Sequence, residues 1–341
     1  MPVTLKEIAA AAGVSIGTVD RALHNRGRVN PQVAERIRTI AKQLNYHTNK
    51  VAQSLAIRSK NIKIAIVLHI AQNDFFDEVI QGIQKASNEI YDFGVTTEIF
   101  RCQDFDADDQ LRQIDLAVNW GANAIVLVPI GDQKIVQRLQ QLHEQEIPVV
   151  FLTALLQDAP CFSAVHCDYA RSGRIGGQLL HLVSGGKGNV LAFSPSFSML
   201  GHRQRMEAFV NYLAENCVNL YLIKVTELPN DSFDDYHITS EILKAYPQAD
   251  CIIYCGSTRA GLKAIREAGR PIHSVFYDFT PATREGMLSG MIDASIVQTP
   301  LEQGYRSVMI LFDYLISNIK PEEHILVENK IILRECMPEI R

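Results

Sequence analysis

The feature that most constrains this chain is the pattern of its first 25 residues, which predicts two short helices separated by a glycine-containing turn. Thr4 and Glu7 have the spacing of a capping box and predict the start of the first helix. Gly13 and Val14 provide the turn, and Ser15 has a side chain suited to cap a second helix. Two helices at this spacing are typical of the helix-turn-helix, whose second helix lies in the major groove of DNA. An ordinary helical hairpin has the same pattern, so the pattern alone leaves that alternative open.

Periodicity within this segment predicts which side chains pack together and which face outward. In the second helix, Val19 and Leu23 are expected to pack against the first helix. A third helix is predicted after Asn30 as its cap, with Pro31 in its first turn. The apolar stripe of this third helix consists of Val33, Ile37, Ile40 and Leu44, and the outward face of the second helix consists of Ile16, Gly17 and Arg21.

Net charge distinguishes the first 60 residues, which we call the head, from the rest of the chain, which we call the body. Residues 1–60 contain ten lysines or arginines and three acidic residues, a formal charge of +7, whereas the whole chain carries −5. The remaining residues therefore carry −12. A basic head on an acidic body indicates a phosphate-binding module attached to a body that avoids nucleic acid. The charge therefore favours the helix-turn-helix over the plain hairpin.

Composition excludes several classes of protein. With 341 residues, of which 47% are hydrophobic and 21% charged, the chain is long enough for two or three globular domains. It has no apolar run of about 20 residues and no N-terminal signal segment, so we expect neither a membrane span nor a membrane partner. Its seven cysteines lack CxxC spacing, which is typical of reduced thiols, and we expect a cytoplasmic location.

No cluster in the sequence has the pattern of a catalytic or metal site. The run His166-Cys167-Asp168 contains reactive residue types, but neighbours in a strand point to opposite faces and cannot act together. The glycine-rich segment 185–189 lacks the order of a P-loop and precedes a strand rather than a helix. We therefore expect no enzyme activity, no bound metal and no cofactor.

Beyond residue 60 the pattern changes to strands that alternate with helices. This alternation predicts parallel sheets covered by helices on both faces, in two similar lobes with a ligand cleft at the carboxyl ends of the strands. The predicted strands are 62–70, 95–100, 124–128, 148–152, 189–194, 220–225, 251–254 and 273–277. The predicted helices are 76–93, 109–120, 134–145, 173–183, 203–216, 237–245 and 258–268.

With these motifs, residues 4–56 resemble, without a gap, the DNA-binding region of the LacI/GalR family of bacterial transcription repressors. The resemblance implies that 49–56 form a hinge that folds on operator DNA, where Leu55 enters the minor groove and kinks the duplex. It implies that Arg21 reads a base, since a guanidinium can bond two acceptors of guanine. The residues that it assigns to DNA contact are Thr4, Ser15, Ile16, Gly17, Thr18, Arg21, His24, Arg28, Asn30, Asn49, Ala52, Gln53 and Leu55.

Within this set, Ile16 and Gly17 occupy the positions that usually discriminate operators, and neither has a long polar side chain. Direct readout would then depend on Arg21, on a thymine-methyl contact from Ile16, and on His24 or Arg28. Asp20 departs from the family, which usually has a small hydroxyl there. We expect it to pair with an arginine or to exclude wrong bases, and a solvated position is the alternative. Phosphates would be held by Thr4, Ser15, Thr18, Asn30 and Asn49.

Residues 61–341 resemble the periplasmic sugar-binding-protein fold that the same family uses as its effector domain. The resemblance implies an α/β fold with two doubly wound parallel-sheet lobes behind a small all-α head. We expect residues 1–48 to be the DNA-binding domain, 49–60 a hinge helix and linker, and 61–341 the effector-binding and dimerisation domain. In the body, the N-terminal lobe would span about 61–160 plus 298–322, and the C-terminal lobe about 163–296 plus 325–341.

The same resemblance implies an effector site in the cleft. Phe75 and Phe76 would stack on a sugar ring, Asp278 would accept hydroxyl protons, and Gln298 would contact the ligand at a crossover. The alternatives are that the two phenylalanines are core residues, that Arg205 is a surface salt-bridge partner, and that Asp278 is a helix N-cap. The full set of expected effector-binding residues is Asn73, Phe75, Phe76, Thr153, Arg205, Ser257, Asp278 and Gln298.

Departures from the family bear on the ligand. Thr153 replaces the usual acidic residue, the loop 255–258 looks shortened and lacks an asparagine, and an apolar stretch at 128–130 replaces another asparagine. Fewer strong polar partners favour a sugar other than ribose, such as another pentose, a hexose, a polyol or a modified sugar. A purine-type corepressor stays open.

These inferences predict a ligand-responsive transcription regulator, a repressor of carbohydrate-utilisation genes that binds a pseudo-palindromic double-stranded operator as a homodimer. No leucine-heptad tail follows the last expected strand, which favours a dimer over a tetramer. Two alternatives come from other classes: a sugar-binding receptor without regulatory output, and an enzyme on an α/β scaffold, which would need a catalytic pair that the sequence does not show.

Overall fold

The computed structural model describes residues 3–23, 29–44, 61–69, 74–102, 106–229 and 232–338. The whole expected hinge and linker, 49–60, lies outside these ranges. The expected site residues outside the described ranges are His24, Arg28, Asn49, Ala52, Gln53, Leu55 and Asn73.

The head consists of three helices, α1 Leu5–Ala12, α2 Ile16–Leu23 and α3 Pro31–Gln43. The predicted capping box is present, because the Thr4 side chain accepts from the Glu7 N–H while Glu7 reaches back to the Thr4 N–H. Gly13 ends α1 with a φ of +65°, a conformation that glycine adopts without strain. The caps predicted for the other two helices are confirmed by hydrogen bonds from the N–H of Thr18 to Ser15 Oγ at 3.2 Å and from the N–H of Gln32 to Asn30 Oδ1 at 2.9 Å.

The buried face of α3 differs from the predicted stripe. Ile37 is fully buried together with Ile8 and Val19, and the other buried positions of α3 are alanines rather than larger residues. Leu44, which was expected in the stripe, is 38% exposed. Small side chains at Ala34 and Ala41 let α3 pack closely against the other two helices, and Val33 and Ile40 of the predicted stripe lie at the edge of that contact.

The body contains twelve strands and nine further helices among the described residues. The strands are β1 Lys63–His69, β2 Thr96–Cys102, β3 Ala124–Leu127, β4 Val149–Leu152, β5 Ser163–Cys167, β6 Lys187–Pro195, β7 Asn219–Leu228, β8 Cys251–Tyr254, β9 His273–Tyr277, β10 Ala294–Val297, β11 His324–Val327 and β12 Lys330–Ile332. The helices are α4 Asp74–Tyr91, α5 Ala107–Asn119, α6 Gln133–Glu144, α7 Tyr169–Val183, α8 Leu200–Asn216, α9 Ser232–Ala245, α10 Thr258–Ala268, α11 Pro281–Leu288 and α12 Pro300–Ser317.

These strands form two six-stranded sheets, one for each lobe. The first has the order β11-β5-β4-β3-β1-β2 and the second the order β12-β10-β9-β8-β6-β7. Their pairings are parallel except for β10 with β12, which are antiparallel. The central strands β3, β4 and β8 are buried along their whole length, as expected for parallel strands covered by helices on both faces.

The boundary between the lobes is not where the sequence pattern predicted it. The expected start of the C-terminal lobe near Ser163 is wrong, because β5 pairs with β4 in the first sheet and continues that lobe to Cys167. Likewise β11, which was expected in the C-terminal lobe, pairs with β5. A strand followed by a helix has the same pattern in either lobe, so only the pairing shows to which sheet it belongs.

Candidate functional site

The candidate effector site lies where the chain passes between the two sheets. Arg205 is on α8, Asp278 directly follows β9, and Gln298 directly follows β10 on the crossover to α12. The carboxyl ends of parallel strands are the usual place for ligands in such folds. The structure joins these three side chains: Arg205 Nη2 donates to Gln298 Oε1 at 2.5 Å, and Gln298 Nε2 donates to Asp278 Oδ1 at 3.0 Å.

Arg205 is a buried cation and not a surface salt-bridge partner. Its side chain is 2% exposed and lies between two aromatic rings, 5.0 Å from the centroid of Tyr169 and 4.4 Å from that of Tyr277. Its Nη1 donates to Cys255 Sγ at 3.0 Å, and its Nε has no hydrogen-bond partner in the described structure. Because burying an unmatched donor is costly, this guanidinium has hydrogen-bonding capacity left for a ligand.

Asp278 does not cap the following helix. Thr280 is the N-cap of α11, and the Asp278 backbone carbonyl accepts from Thr283 Oγ1 at 3.0 Å and from Ser295 Oγ at 2.8 Å. This leaves the carboxylate directed to Gln298 rather than to the helix. Burial raises the pKa of the Asp278 carboxyl, an effect that the Gln298 hydrogen bond and the Arg205 charge oppose.

Three residues at or next to this site have a left-handed backbone conformation. Thr153, Asp278 and Thr299 have φ values of +60°, +64° and +48°. Such values are uncommon for residues other than glycine, and for a β-branched threonine they are unfavourable. Strained residues of this kind persist where the surrounding structure fixes them, and they cluster at binding sites and hinges.

Thr153 takes part in the site through its backbone. It is 6% exposed, and its carbonyl accepts a hydrogen bond from the hydroxyl of Tyr169. Tyr169 therefore connects the first lobe to the Arg205 guanidinium that its ring covers.

Sequence reasoning missed four residues that contact the Arg205–Gln298 pair. Tyr169 and Tyr277 supply the rings, Cys255 accepts from Arg205, and the Cys167 thiol donates to Gln298 Oε1 at 3.4 Å. Each lies within two residues of a strand's carboxyl end, which is the one sequence feature that could have identified them.

The structure does not bring the remaining expected effector residues into this cluster. Phe75 and Phe76 start α4 with their rings edge to face, 5.4 Å apart, and both pack against the core of the first lobe, as their alternative interpretation predicted. Ser257 lies at the carboxyl end of β8, and its N–H donates to Asp235 Oδ2 at 2.9 Å. Their role in ligand binding stays a prediction.

The two lobes also approach each other at a cavity whose lining includes none of the residues of this cluster. The cavity has a volume of about 230 Å³, with Pro129 and Gly131 of the first lobe on one side and Met199 and Arg203 of the second on the other. Met199 packs against the core of the first lobe. This contact places residues of both lobes around one small space, as a closing cleft requires.

The expected DNA-reading face of α2 is open to solvent. Ile16 is 48% exposed, Gly17 and Arg21 are also exposed, and Val19 on the opposite side is fully buried. Four expected phosphate-binding side chains are engaged in local hydrogen bonds: Thr4 with Glu7, Ser15 and Thr18 with each other, and Asn30 with the N–H of Gln32. These bonds fix the amino ends of the helices, whose exposed N–H groups can face phosphates.

Within the described ranges, no group of three or more histidine, cysteine or acidic side chains could hold a metal ion. Over the same ranges, no helix has the length and apolar character needed to cross a membrane. All seven cysteines are free thiols.

Two protein-family models match the chain, one over the head and one over the body. Residues 4–49 match the model described as bacterial regulatory proteins, lacI family, and residues 64–318 match the model of the periplasmic binding protein domain. The second match covers most of the chain.

Individual relatives agree with these matches. The HTH-type transcriptional regulator MalR of Streptococcus pneumoniae serotype 4 (strain ATCC BAA-334 / TIGR4) is 40% identical over 94 residues, which is 26% of this chain and 28% of MalR. The ribose operon repressor of Bacillus subtilis (strain 168) is 22% identical over 315 residues, 90% of each chain. The regulator names of such relatives support the expectation that the chain is not an enzyme.

A solved structure shows the same fold in the body. GanP, a glucose-galactose binding protein from Geobacillus stearothermophilus, superposes with a TM-score of 0.74 at 20% identity, covering 82% of this chain and 99% of GanP. With the head matched by one family model and the body by the other, the chain belongs to the LacI family of bacterial regulatory proteins, with a periplasmic binding protein domain behind its helix-turn-helix.

Proposed function

We propose that this protein is a ligand-responsive, sequence-specific DNA-binding transcription regulator. The observation that carries the proposal is the presence, in one chain, of an exposed recognition face on α2 and a buried polar cluster between two lobes. The first can bind DNA and the second can bind a small molecule. A repressor of carbohydrate-utilisation genes is the form of this function that the relatives' names favour.

The DNA-binding part of the proposal rests on charge and exposure together. The first 60 residues carry a formal charge of +7, which suits the phosphate backbone. Arg21 is exposed in the last turn of α2, where a guanidinium can form two hydrogen bonds with guanine in the major groove. We propose a homodimer on a pseudo-palindromic operator, because two symmetric heads would meet two half-sites.

The effector part of the proposal rests on the Arg205–Gln298–Asp278 cluster. A guanidinium donates to ligand oxygens, a carboxylate accepts from hydroxyl groups, and the two tyrosine rings offer apolar faces for C–H groups. A sugar or polyol presents all three kinds of group. Relatives in sequence and fold have names that refer to ribose and to glucose and galactose, and these names support a ligand of this class.

Coupling between the two sites would act through the crossovers. Gln298 lies on the segment that connects β10 to α12, and its carbonyl accepts from Gln303 Nε2 in α12 at 2.7 Å. A ligand that moves Gln298 would therefore act on α12, which packs against α4 in the first lobe. A coupling free energy of about 1–3 kcal/mol would change operator affinity about 5- to 150-fold.

The test of this function is selection of bound duplexes from a random DNA library by the purified full chain. We expect enrichment of a sequence with two-fold symmetry, and an affinity for it that falls steeply as salt concentration rises. Absence of enrichment, with affinity for all duplexes alike, would contradict sequence-specific regulation and favour a sugar-binding receptor without regulatory output.

A further inference from the structure

We propose that the effector carries a carboxylate, so that the ligand is a sugar acid rather than a neutral sugar. This inference rests on the proposed effector site and narrows its ligand class. It begins from the buried guanidinium of Arg205, with which no carboxylate of the described chain forms an ion pair. Buried charges in proteins are normally paired, because an unpaired one loses its hydration without compensation.

The groups that do touch Arg205 are neutral. Gln298 contributes an amide oxygen, and Cys255 contributes a sulfur, which is a weak acceptor. Burial raises the pKa of the Cys255 thiol and raises that of Cys167 to about 11, so both thiols keep their protons at neutral pH. The faces of Tyr169 and Tyr277 attract the cation, but they do not carry a negative charge.

Asp278 does not replace this missing partner. The Gln298 amide lies between the two charged groups, with its oxygen toward Arg205 and its nitrogen toward Asp278. Thr153, whose carbonyl accepts a hydrogen bond from the Tyr169 hydroxyl, adds no charge. Burial and the nearby guanidinium lower the pKa of His202 to about 4, so it adds no positive charge either. The cluster therefore presents one guanidinium that lacks direct compensation.

A ligand carboxylate would complete this arrangement. It could accept from Arg205 Nε, which has no partner, and from the terminal nitrogen now bonded to the weak acceptor Cys255. The hydroxyl groups of the same ligand could donate to Asp278. A carboxylate fits better than a phosphate, because a phosphate would bring a charge close to −2 into a buried space that already contains Asp278.

The experiment compares matched pairs of sugars and sugar acids on the full-length protein. Glucose with glucuronate and with gluconate, galactose with galacturonate, and the corresponding 6-phosphates are tested by thermal shift, and dissociation constants are then measured by calorimetry. We expect at least one sugar acid to bind with a Kd at least about 30-fold below that of its neutral partner, since losing one member of a buried hydrogen-bonded charge pair has an effect of that size.

Two variants test whether Arg205 is responsible. Arg205→Gln should abolish the preference for the acid, whereas Arg266→Gln, the same charge change at an exposed ion pair with Glu285, should retain it. If Arg205→Gln fails to fold, the preference of the wild-type protein for a sugar acid over its neutral partner still tests the proposal.

The possible results separate this inference from the proposed function. A neutral sugar that binds as well as its acid, a preference for the 6-phosphate, or no shift with any compound would each overturn the carboxylate assignment. Duplex selection by the same preparation reports separately on DNA-binding regulation, so a regulator with a neutral or unrelated effector would be recognised.

Discussion

At the scale of single residues, the cluster around Arg205 contains a cation, an amide and a carboxylate, each within hydrogen-bonding distance of the next. The sequence placed Arg205, Asp278 and Gln298 in one site by resemblance, and the structure joins them through two hydrogen bonds. The tyrosines and cysteines around them share only their position near a strand's carboxyl end, and this feature alone does not distinguish a binding residue from a core residue. Burial and direction of a side chain depend on packing from other elements, which local sequence does not specify.

The recognition helix gives the first prediction at this scale. Arg21→Ala should weaken binding to the selected operator by about 1–3 kcal/mol, because one bidentate contact to a base is lost. The change lies on an exposed position, so the head should stay folded. Competition titrations with specific and random duplexes measure the effect. Unchanged preference for the operator would show that Arg21 does not read a base.

The buried carboxylate gives a second prediction, on pH dependence. The pKa of Asp278 is raised by burial, so the unfolded chain ionises this group at a lower pH than the folded protein does. The folded state therefore loses stability as pH rises from the ordinary aspartate pKa through the raised one. Asp278→Asn removes this loss, so its melting temperature relative to wild type should increase from acidic to neutral pH.

Melting curves of both proteins across that pH range test the sign. Asp108→Asn, at a side chain that is 68% exposed, provides the matched control and should show a smaller change with pH. A difference between Asp278→Asn and wild type that stays constant, or that decreases as pH rises, would show that the Asp278 pKa is not raised.

At the scale of elements, the local sequence pattern predicted most strands and helices. Long-range pairing determined to which sheet each strand belongs. Residues 251–254, 258–268 and 273–277 begin and end as expected, since each is a short apolar or amphipathic run between clear breaks. The assignment of β5 and β11 to the first sheet could not be predicted from the sequence. It depends on the pairing of β5 with β4 and of β11 with β5, which are long-range contacts. The helix contacts depend on glycines at the crossing points.

Two of these glycines give a matched test. A Cβ at Gly173 of α7 would lie 2.0 Å from the backbone oxygen of Arg205, and one at Gly82 of α4 would lie 2.0 Å from that of Leu301. Either Gly→Ala change should lower the stability of its lobe by about 1–3 kcal/mol, because the helices must separate. Gly173→Ala displaces the backbone that carries Arg205 itself, so it should weaken effector binding more than Gly82→Ala does, which displaces Leu301 on the helix that follows Gln298.

Calorimetric titration of both variants below their melting temperatures measures this difference. Equal effector affinity in both variants would show that the close packing of α7 against α8 does not position Arg205. Equal loss in both would show that effector binding responds to general destabilisation rather than to this crossing.

At the scale of the whole molecule, sequence predicted the division into a basic head and a two-lobed α/β body, because charge and periodicity are both local properties. It did not predict that the first lobe continues to Cys167 and includes β11, because periodicity is the same on either side of a crossover. The chain crosses between the lobes near residues 168, 298 and 328. The crossovers are also where Gln298 and the strained Thr299 lie. The effector contact that we propose for Gln298 therefore lies on a segment that connects the two lobes.

The proposed function requires the cleft and the DNA-binding head to be energetically coupled. The most direct measurement is a fluorescence anisotropy titration of the selected operator with the full-length protein, with and without a saturating concentration of the compound that binds the cleft most tightly. We expect the compound to change operator Kd about 5- to 150-fold, and Asp278→Ala to remove this response while its operator affinity without ligand stays that of wild type. Superimposable titration curves with the compound bound would contradict the claim.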